Sequence, residues 1–140
     1  MARSTPFSLR LSPQLDARIS ALAERSKRSK AAVLENLADE ADRCRRYPGI
    51  AFRGPDWDRR AWAIGTGLDV WEIIRALQDF AGSVERMAEE TEISTPEIEL
   101  AEAYCREFQD EINSAITLDR RSLLQLQQEY PFIGAMVIDA

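Results

Sequence analysis

At 140 residues, with 45% apolar and 30% charged side chains, the chain has the composition of one ordinary globular domain or two small ones. It contains no histidine and only two cysteines, Cys44 and Cys105, which removes the commonest general base and the donor set of a zinc site. No apolar run approaches membrane length and the N-terminus shows no signal-peptide pattern, so a reducing, cytoplasmic location is expected. The two cysteines then read as small residues on helix faces, with redox sensing as the alternative. A net charge of −6 argues at first against nucleic acid, but the distribution reverses the argument. Residues 1–30 hold seven basic side chains (Arg3, Arg10, Arg18, Arg25, Lys27, Arg28, Lys30) against two acidic ones (Asp16, Glu24). That is a local balance of +5, and the overall −6 therefore leaves −11 for the remainder. A basic head on an acidic body suits a protein that touches phosphate at one end. The plainer alternative is a solvated helix surface.

In Phe7-Ser8-Leu9-Arg10-Leu11 apolar and polar side chains alternate with period two, the pattern of a half-buried strand. Ser12-Pro13 then offers a helix N-cap with proline at the first helical position. The first helix is expected from Pro13 to Arg25, with Leu15, Ile19 and Leu22 on one stripe. Ser29 offers a second N-cap. The helix after it places Val33, Leu34, Leu37, Ala38 and Ala41 on one face, and Pro48-Gly49 stops it. One five-residue strand has no stability alone, and no second strand lies nearby. A second copy of the chain supplies one. A two-fold ribbon puts Phe7, Leu9 and Leu11 on a shared inner face and leaves Ser8 and Arg10 outward, a shape that fits the major groove.

The run FSLRLSPQLDARI followed by ERSKRSKAAVLENLADEA resembles the ribbon-helix-helix family of dimeric DNA-binding proteins, over the first third of the chain. The resemblance implies that Ser8 and Arg10 read bases and that the backbone N–H groups of Ser29 and Lys30 clamp a phosphate. A helix N-terminus favours phosphate on physical grounds as well. Arg3 and Arg28 join this set as flanking cations. The family's usual third outward strand residue falls here at Pro6, which has no side-chain donor.

Beyond Pro48 the character changes. Ile50–Arg53 and Arg60–Ile64 flank a turn at Gly54-Pro55-Asp56 and read as a small β-hairpin or two extended arms. Asp69 caps a helix whose Val70, Ile73, Ile74 and Leu77 share a face, with Trp71 beside them. Ser83 starts a short helix. Thr95-Pro96-Glu97 opens a longer one, with Thr95 as cap, carrying Ile98, Ala101, Tyr104, Cys105, Phe108 and Ile112 and reaching Ile116. Three helices with short connections suggest a small helix-turn-helix-like domain. Between Ser83 and Glu111 acids greatly outnumber bases, so protein contacts are expected there rather than DNA; Arg53, Arg59 and Arg60 are the cations free to touch a flanking phosphate. Trp57, Trp62 and Trp71 read as a lid over the core, with a base-stacking platform as the alternative.

The pieces PGIAFR, the glycine-rich bend before DVWEII, and the Tyr followed by EIN near the helix end resemble the small helical domain behind the ribbon-helix-helix head of VapB-type antitoxins. Together with the head, this resemblance spans about four-fifths of the chain. It implies a homodimer that binds operator double-stranded DNA, represses its own operon, and neutralises a partner toxin, commonly a PIN-domain VapC-like ribonuclease. No catalytic role, metal or cofactor is implied. Fold class is thus expected to be mainly α with short β, in three parts. Residues 1–47 form the dimerisation and DNA-binding domain, 48–117 the small helical domain, and 118–140 an apolar tail.

The tail contains Leu123, Leu124, Leu126 and the run Tyr130 to Ile138. Such an end either packs back on its own domain, binds a partner, or joins copies of the chain. As a toxin-binding element, its expected contacts are Tyr130, Phe132 and Ile133, with Arg120 and Arg121 reaching the carboxylates of a nuclease site. The two arginines equally fit an exposed helix face. The acids Glu89, Glu90 and Glu92 point in different directions on a helix end and read as solvated surface. No nucleophile or phosphate loop is found; Gly65-Thr66-Gly67 is too short for one. Two function classes remain: an antitoxin, and a stand-alone repressor whose second domain oligomerises or senses an effector.

Overall fold

The computed structural model describes residues 5–121 and 123–132. Helix α1 runs over Pro13–Ser26, with proline at its first turn and the Ser12 hydroxyl accepting the Leu15 N–H at 3.3 Å. It ends on Lys27 in the left-handed conformation, whose neighbour Arg28 donates its backbone N–H to the Ala23 carbonyl at 3.0 Å. Helix α2, Lys30–Arg46, starts on Ser29, which accepts the Ala32 N–H at 3.1 Å. The pair buries Ile19, Ala23 and Val33, with Leu11, Leu22 and Leu34 at the edge.

The segment expected as a strand, Phe7 to Leu11, forms none in the single chain. A strand is defined by the backbone it pairs with, and one copy offers no partner. Phe7 and Leu9 are accordingly 83% and 56% exposed. The stripes of α1 and α2 are only half covered as well: Leu15, Leu37, Ala38 and Ala41 face solvent. A three-residue core does not offset the entropy of ordering two helices, so this hairpin needs further apolar cover.

After Pro48-Gly49 the expected hairpin forms. Strand β1, Ile50–Arg53, runs antiparallel to β2, Arg60–Ala63, in a register that places Ile50 opposite Ala63 and Arg53 opposite Arg60. Gly54 turns the chain at φ +108°, where a Cβ would come within 2.2 Å of the Asp58 carbonyl oxygen. Helices α3 (Val70–Asp79), α4 (Val84–Glu90), α5 (Thr95–Glu107) and α6 (Gln109–Asp119) close over the hairpin, and α7 (Leu123–Glu129) follows. Their core joins Ile50, Ala61 and Ala63 to Ile73, Met87, Ile98, Tyr104 and Ile112. Each fully buried side chain of this size contributes roughly 1.5–3 kcal/mol, so this second core holds most of the chain's apolar stabilisation.

Three expectations are corrected. The cap of α5 is Ser94, one residue before Thr95; its backbone N–H donates to Glu97 Oε1 at 2.9 Å, and Glu97 N–H returns to its hydroxyl. The helix expected to reach Ile116 divides at Phe108, which leaves helical geometry at φ −116°, ψ 44°. No proline or glycine causes the break. The Phe108 ring lies 4.6 Å from Tyr104 and under the Arg43 guanidinium at 3.7 Å, and that tertiary contact overrides local propensity. Finally, Trp57 is no core lid: it stands 86% exposed at the hairpin tip, while Trp62 and Trp71 are half-buried.

Candidate nucleic-acid interface

The head presents its expected site residues to solvent. Ser8, Arg10, Ser29 and Lys30 are exposed and Arg28 is half-buried; Arg3 lies outside the described residues. The α1–α2 turn and the first turn of α2 place Arg28, Ser29 and Lys30 consecutively at the positive end of a 17-residue helix. The Lys30 ammonium pairs with Asp16, but its backbone N–H remains among the orphan donors of the helix start. Among the described residues, Arg10, Arg18, Lys27 and Arg28 have no carboxylate partner.

The body differs. Arg53, Arg59, Arg60, Arg75, Arg86, Arg120 and Arg121 all sit in ion pairs, as do Arg43 and Arg46 of the head where the last turns of α2 meet the body. Arg45 and Arg106 are the exceptions among the described residues. Cations tied to carboxylates gain little from phosphate, because an existing partner must be displaced. The positive field that DNA would meet is therefore concentrated at the head. If the Phe7–Leu11 segments of two copies pair into a DNA-reading ribbon, Arg10→Ala is expected to abolish specific binding while leaving the dimer folded. Loss of a base-reading arginine from both copies lowers affinity by roughly ten- to a thousandfold. Equal affinity of mutant and wild type in a fluorescence-anisotropy titration would remove Arg10 from the interface.

Arg53, Arg59 and Arg60 are not free to touch phosphate. Asp69, only 3% exposed, accepts Arg53 Nε on Oδ1 at 2.8 Å and Arg60 Nε on Oδ2 at 2.8 Å. Trp71 Nε1 adds a third donor at 3.1 Å, and the Arg53 guanidinium lies over the Trp62 ring at 4.8 Å. Arg59 pairs with Glu40 on α2 at 3.0 Å. Sequence reading found Asp69 as a helix cap and missed it as the buried anion that ties both strands to α3. The available signal was the arginine pair at Arg53 and Arg60, which the hairpin register sets directly opposite each other.

A second network joins head to body. Arg43 Nη1 donates to Tyr104 Oη at 2.8 Å and to Glu111 Oε1 at 2.6 Å. Arg46 and Tyr47 both donate to Glu107, and these hydrogen bonds, Arg46 first, hold its carboxyl below the usual carboxylate range. Burial pushes the Tyr104 hydroxyl up, so it stays protonated and donates to Glu111 at 3.2 Å. Helix α2 thus packs with α1 through its apolar face and is tied to the body through the polar side chains of its last turns.

At the tail, Arg120 Nη2 meets Asp79 Oδ1 at 3.2 Å and Arg121 pairs with Glu129. Tyr130 and Phe132 sit edge to face with centroids 6.1 Å apart and are 46% and 75% exposed. Ile133 and the apolar run beyond it lie outside the described residues. Between the hairpin and α6 lies an open cavity of about 580 Å³, lined by Arg60, Trp71, Ile112 and Leu118 among others.

Among the described residues no group of three or more Cys, Asp or Glu side chains is placed to hold a metal ion. Both cysteines are free and half-buried, and burial raises both thiols above their ordinary value. Among the described residues no helix is long and apolar enough to cross a membrane. No family model, no curated protein and no solved structure matches the chain at the significance applied.

Proposed function

We propose that this chain is the antitoxin of a toxin–antitoxin pair: a dimer that binds operator DNA through a shared N-terminal ribbon and neutralises a partner toxin, a PIN-domain VapC-like ribonuclease, through its C-terminal segment. The observation that carries this reading is the coincidence, in one head, of unpaired cations with uncovered apolar side chains. Phe7 and Leu9 are exposed in one copy, and they alternate with Ser8 and Arg10. Pairing with a second copy buries the former and leaves the latter outward, beside the capped start of α2. The acidic, ion-paired body behind it, helix-turn-helix-like in this reading, is suited to protein contact rather than to DNA.

The exposed Tyr130 and Phe132 support a docking role for the tail, since aromatic anchors dominate protein interfaces. Arg120 and Arg121 already hold carboxylates. Exchanging Asp79 or Glu129 for a nuclease carboxylate is close to neutral, so in this reading the aromatic anchors supply the affinity and the two arginines its orientation. The same Arg120–Asp79 tie favours the second reading, a stand-alone repressor whose tail belongs to its own body.

Deleting residues 120–140 separates the two. Among the described residues the deletion removes none of either core, so the truncated dimer is expected to bind operator DNA as wild type does and to lose toxin neutralisation in a ribonuclease assay. Neutralisation by the truncated chain would place toxin contact elsewhere in the body.

A further inference from the structure

We propose that the hairpin tip and the α1–α2 turn form a second DNA contact, a cleft that grips the sugar–phosphate backbone flanking the base pairs read by the ribbon; this rests on the DNA-binding reading above. The cleft holds about 550 Å³ and has two unlike walls. One is Arg25, Ser26, Lys27 and Arg28; the other is Pro55, Asp56 and Trp57. Lys27 and Arg28 have no carboxylate partner among the described residues, and Arg28 Nε donates only to the Ser26 hydroxyl at 3.3 Å. Trp57 is the most exposed large apolar side chain described, at 86%. It is not on a slack loop: Asp58 N–H donates to the Pro55 carbonyl at 2.9 Å, and Arg59 Nη1 to the Gly54 carbonyl at 2.8 Å.

A bare indole on a hydrogen-bonded turn beside unpaired cations matches one repeating chemistry. A nucleic-acid backbone alternates an anionic phosphate with the apolar face of deoxyribose. The cations take the phosphate, and the indole covers the sugar and offers its N–H to the next phosphate oxygen. Asp56 is the one anion in the cleft, and Arg25 neutralises it at 3.2 Å. The cleft also adjoins the proposed phosphate clamp directly, since Lys27 and Arg28 run into Ser29 and Lys30. An acidic protein surface would satisfy the cations but not this continuity.

The test uses full-length protein, a labelled duplex carrying the sequence upstream of its own reading frame, and the same duplex trimmed to the minimal bound site. Trp57→Ser and Lys27→Asn are both conservative for folding: Trp57 touches no core, and Asn tolerates the left-handed backbone at Lys27. On the long duplex Trp57→Ser is expected to weaken binding by roughly tenfold, the usual scale for truncating an interface tryptophan. Its hydroxyl-radical footprint should also shorten at both ends. Lys27→Asn should reduce the slope of log affinity against log salt by about one per copy. On the trimmed duplex both variants should equal wild type. Wild-type affinity and an unchanged footprint for both variants on the long duplex would overturn the proposal while leaving DNA binding intact. Variants that bind DNA normally but lose a co-expressed protein would overturn it in favour of a protein-docking surface. A wild-type chain that binds neither duplex would overturn this proposal and the DNA-binding reading together.

Discussion

On the proposed ribbon dimer, Leu9→Asp is expected to give a monomer and to abolish DNA binding with it. In one copy Leu9 is more than half exposed, so a monomeric protein would tolerate the change within about 0.5 kcal/mol. In a ribbon dimer the same carboxylate lies in the shared core twice, without a partner. Leaving a buried charge unpaired costs at least about 3 kcal/mol. Two copies then raise the dimer dissociation constant by roughly ten-thousandfold. Sedimentation equilibrium measures this directly, and far-UV circular dichroism checks that the body, whose core is separate, stays folded. A mutant that sediments as a wild-type-like dimer would show that Leu9 is not at the interface, and the ribbon would go with it.

Asp69→Ala is expected to destabilise the body by about 1–3 kcal/mol, the scale for deleting a buried hydrogen-bonding acceptor whose two arginine partners remain partly exposed to water. The reason is local. The hairpin register sets Arg53 directly opposite Arg60, and like charges facing each other across a sheet repel. Asp69 lies between them and accepts from both at 2.8 Å, so its removal leaves Arg53 Nε, Arg60 Nε and the Trp71 N–H without their acceptor, while Arg53 keeps the Gly67 carbonyl and Arg60 keeps Asp58. For a domain of this size that corresponds to a fall in Tm of roughly 4–12 °C. Asp69→Asn keeps the cap and one acceptor oxygen and should fall between the two. A calorimetric melt of Asp69→Ala within a degree or two of wild type would mean that solvent replaces the carboxylate at no cost, and that the cluster is not structural.

What could be read from the sequence follows a physical line. Ser12-Pro13, Ser29 and Asp69 announce their helices because a capping oxygen acts within four residues of its target. Pro48-Gly49 and Gly54 mark turns for the same local reason. The stripe Val70, Ile73, Ile74, Leu77 is buried as its spacing requires. Features that depend on distant residues were not readable. The break at Phe108 is set by Tyr104 and by Arg43, which arrives from another helix. The exposure of Trp57 depends on where the hairpin tip points, and a tryptophan near glycine and proline carries no such information. Nor does a sequence distinguish a cation held by a carboxylate from an open one: Arg53 and Arg10 look alike until Asp69 is placed beside the first. The ribbon itself is a special case. Its alternation is plain in the sequence, yet a single chain holds no second strand to complete it.

The decisive measurement is co-purification of this chain with the product of the adjacent gene, followed by a ribonuclease assay on that product alone and in complex. A stable complex in which a ribonuclease is silenced, and released by deletion of residues 120–140, is the result expected of an antitoxin. An adjacent product that neither binds nor cleaves RNA, beside a lone dimer that still occupies its own promoter, would contradict the antitoxin reading and leave a simple repressor.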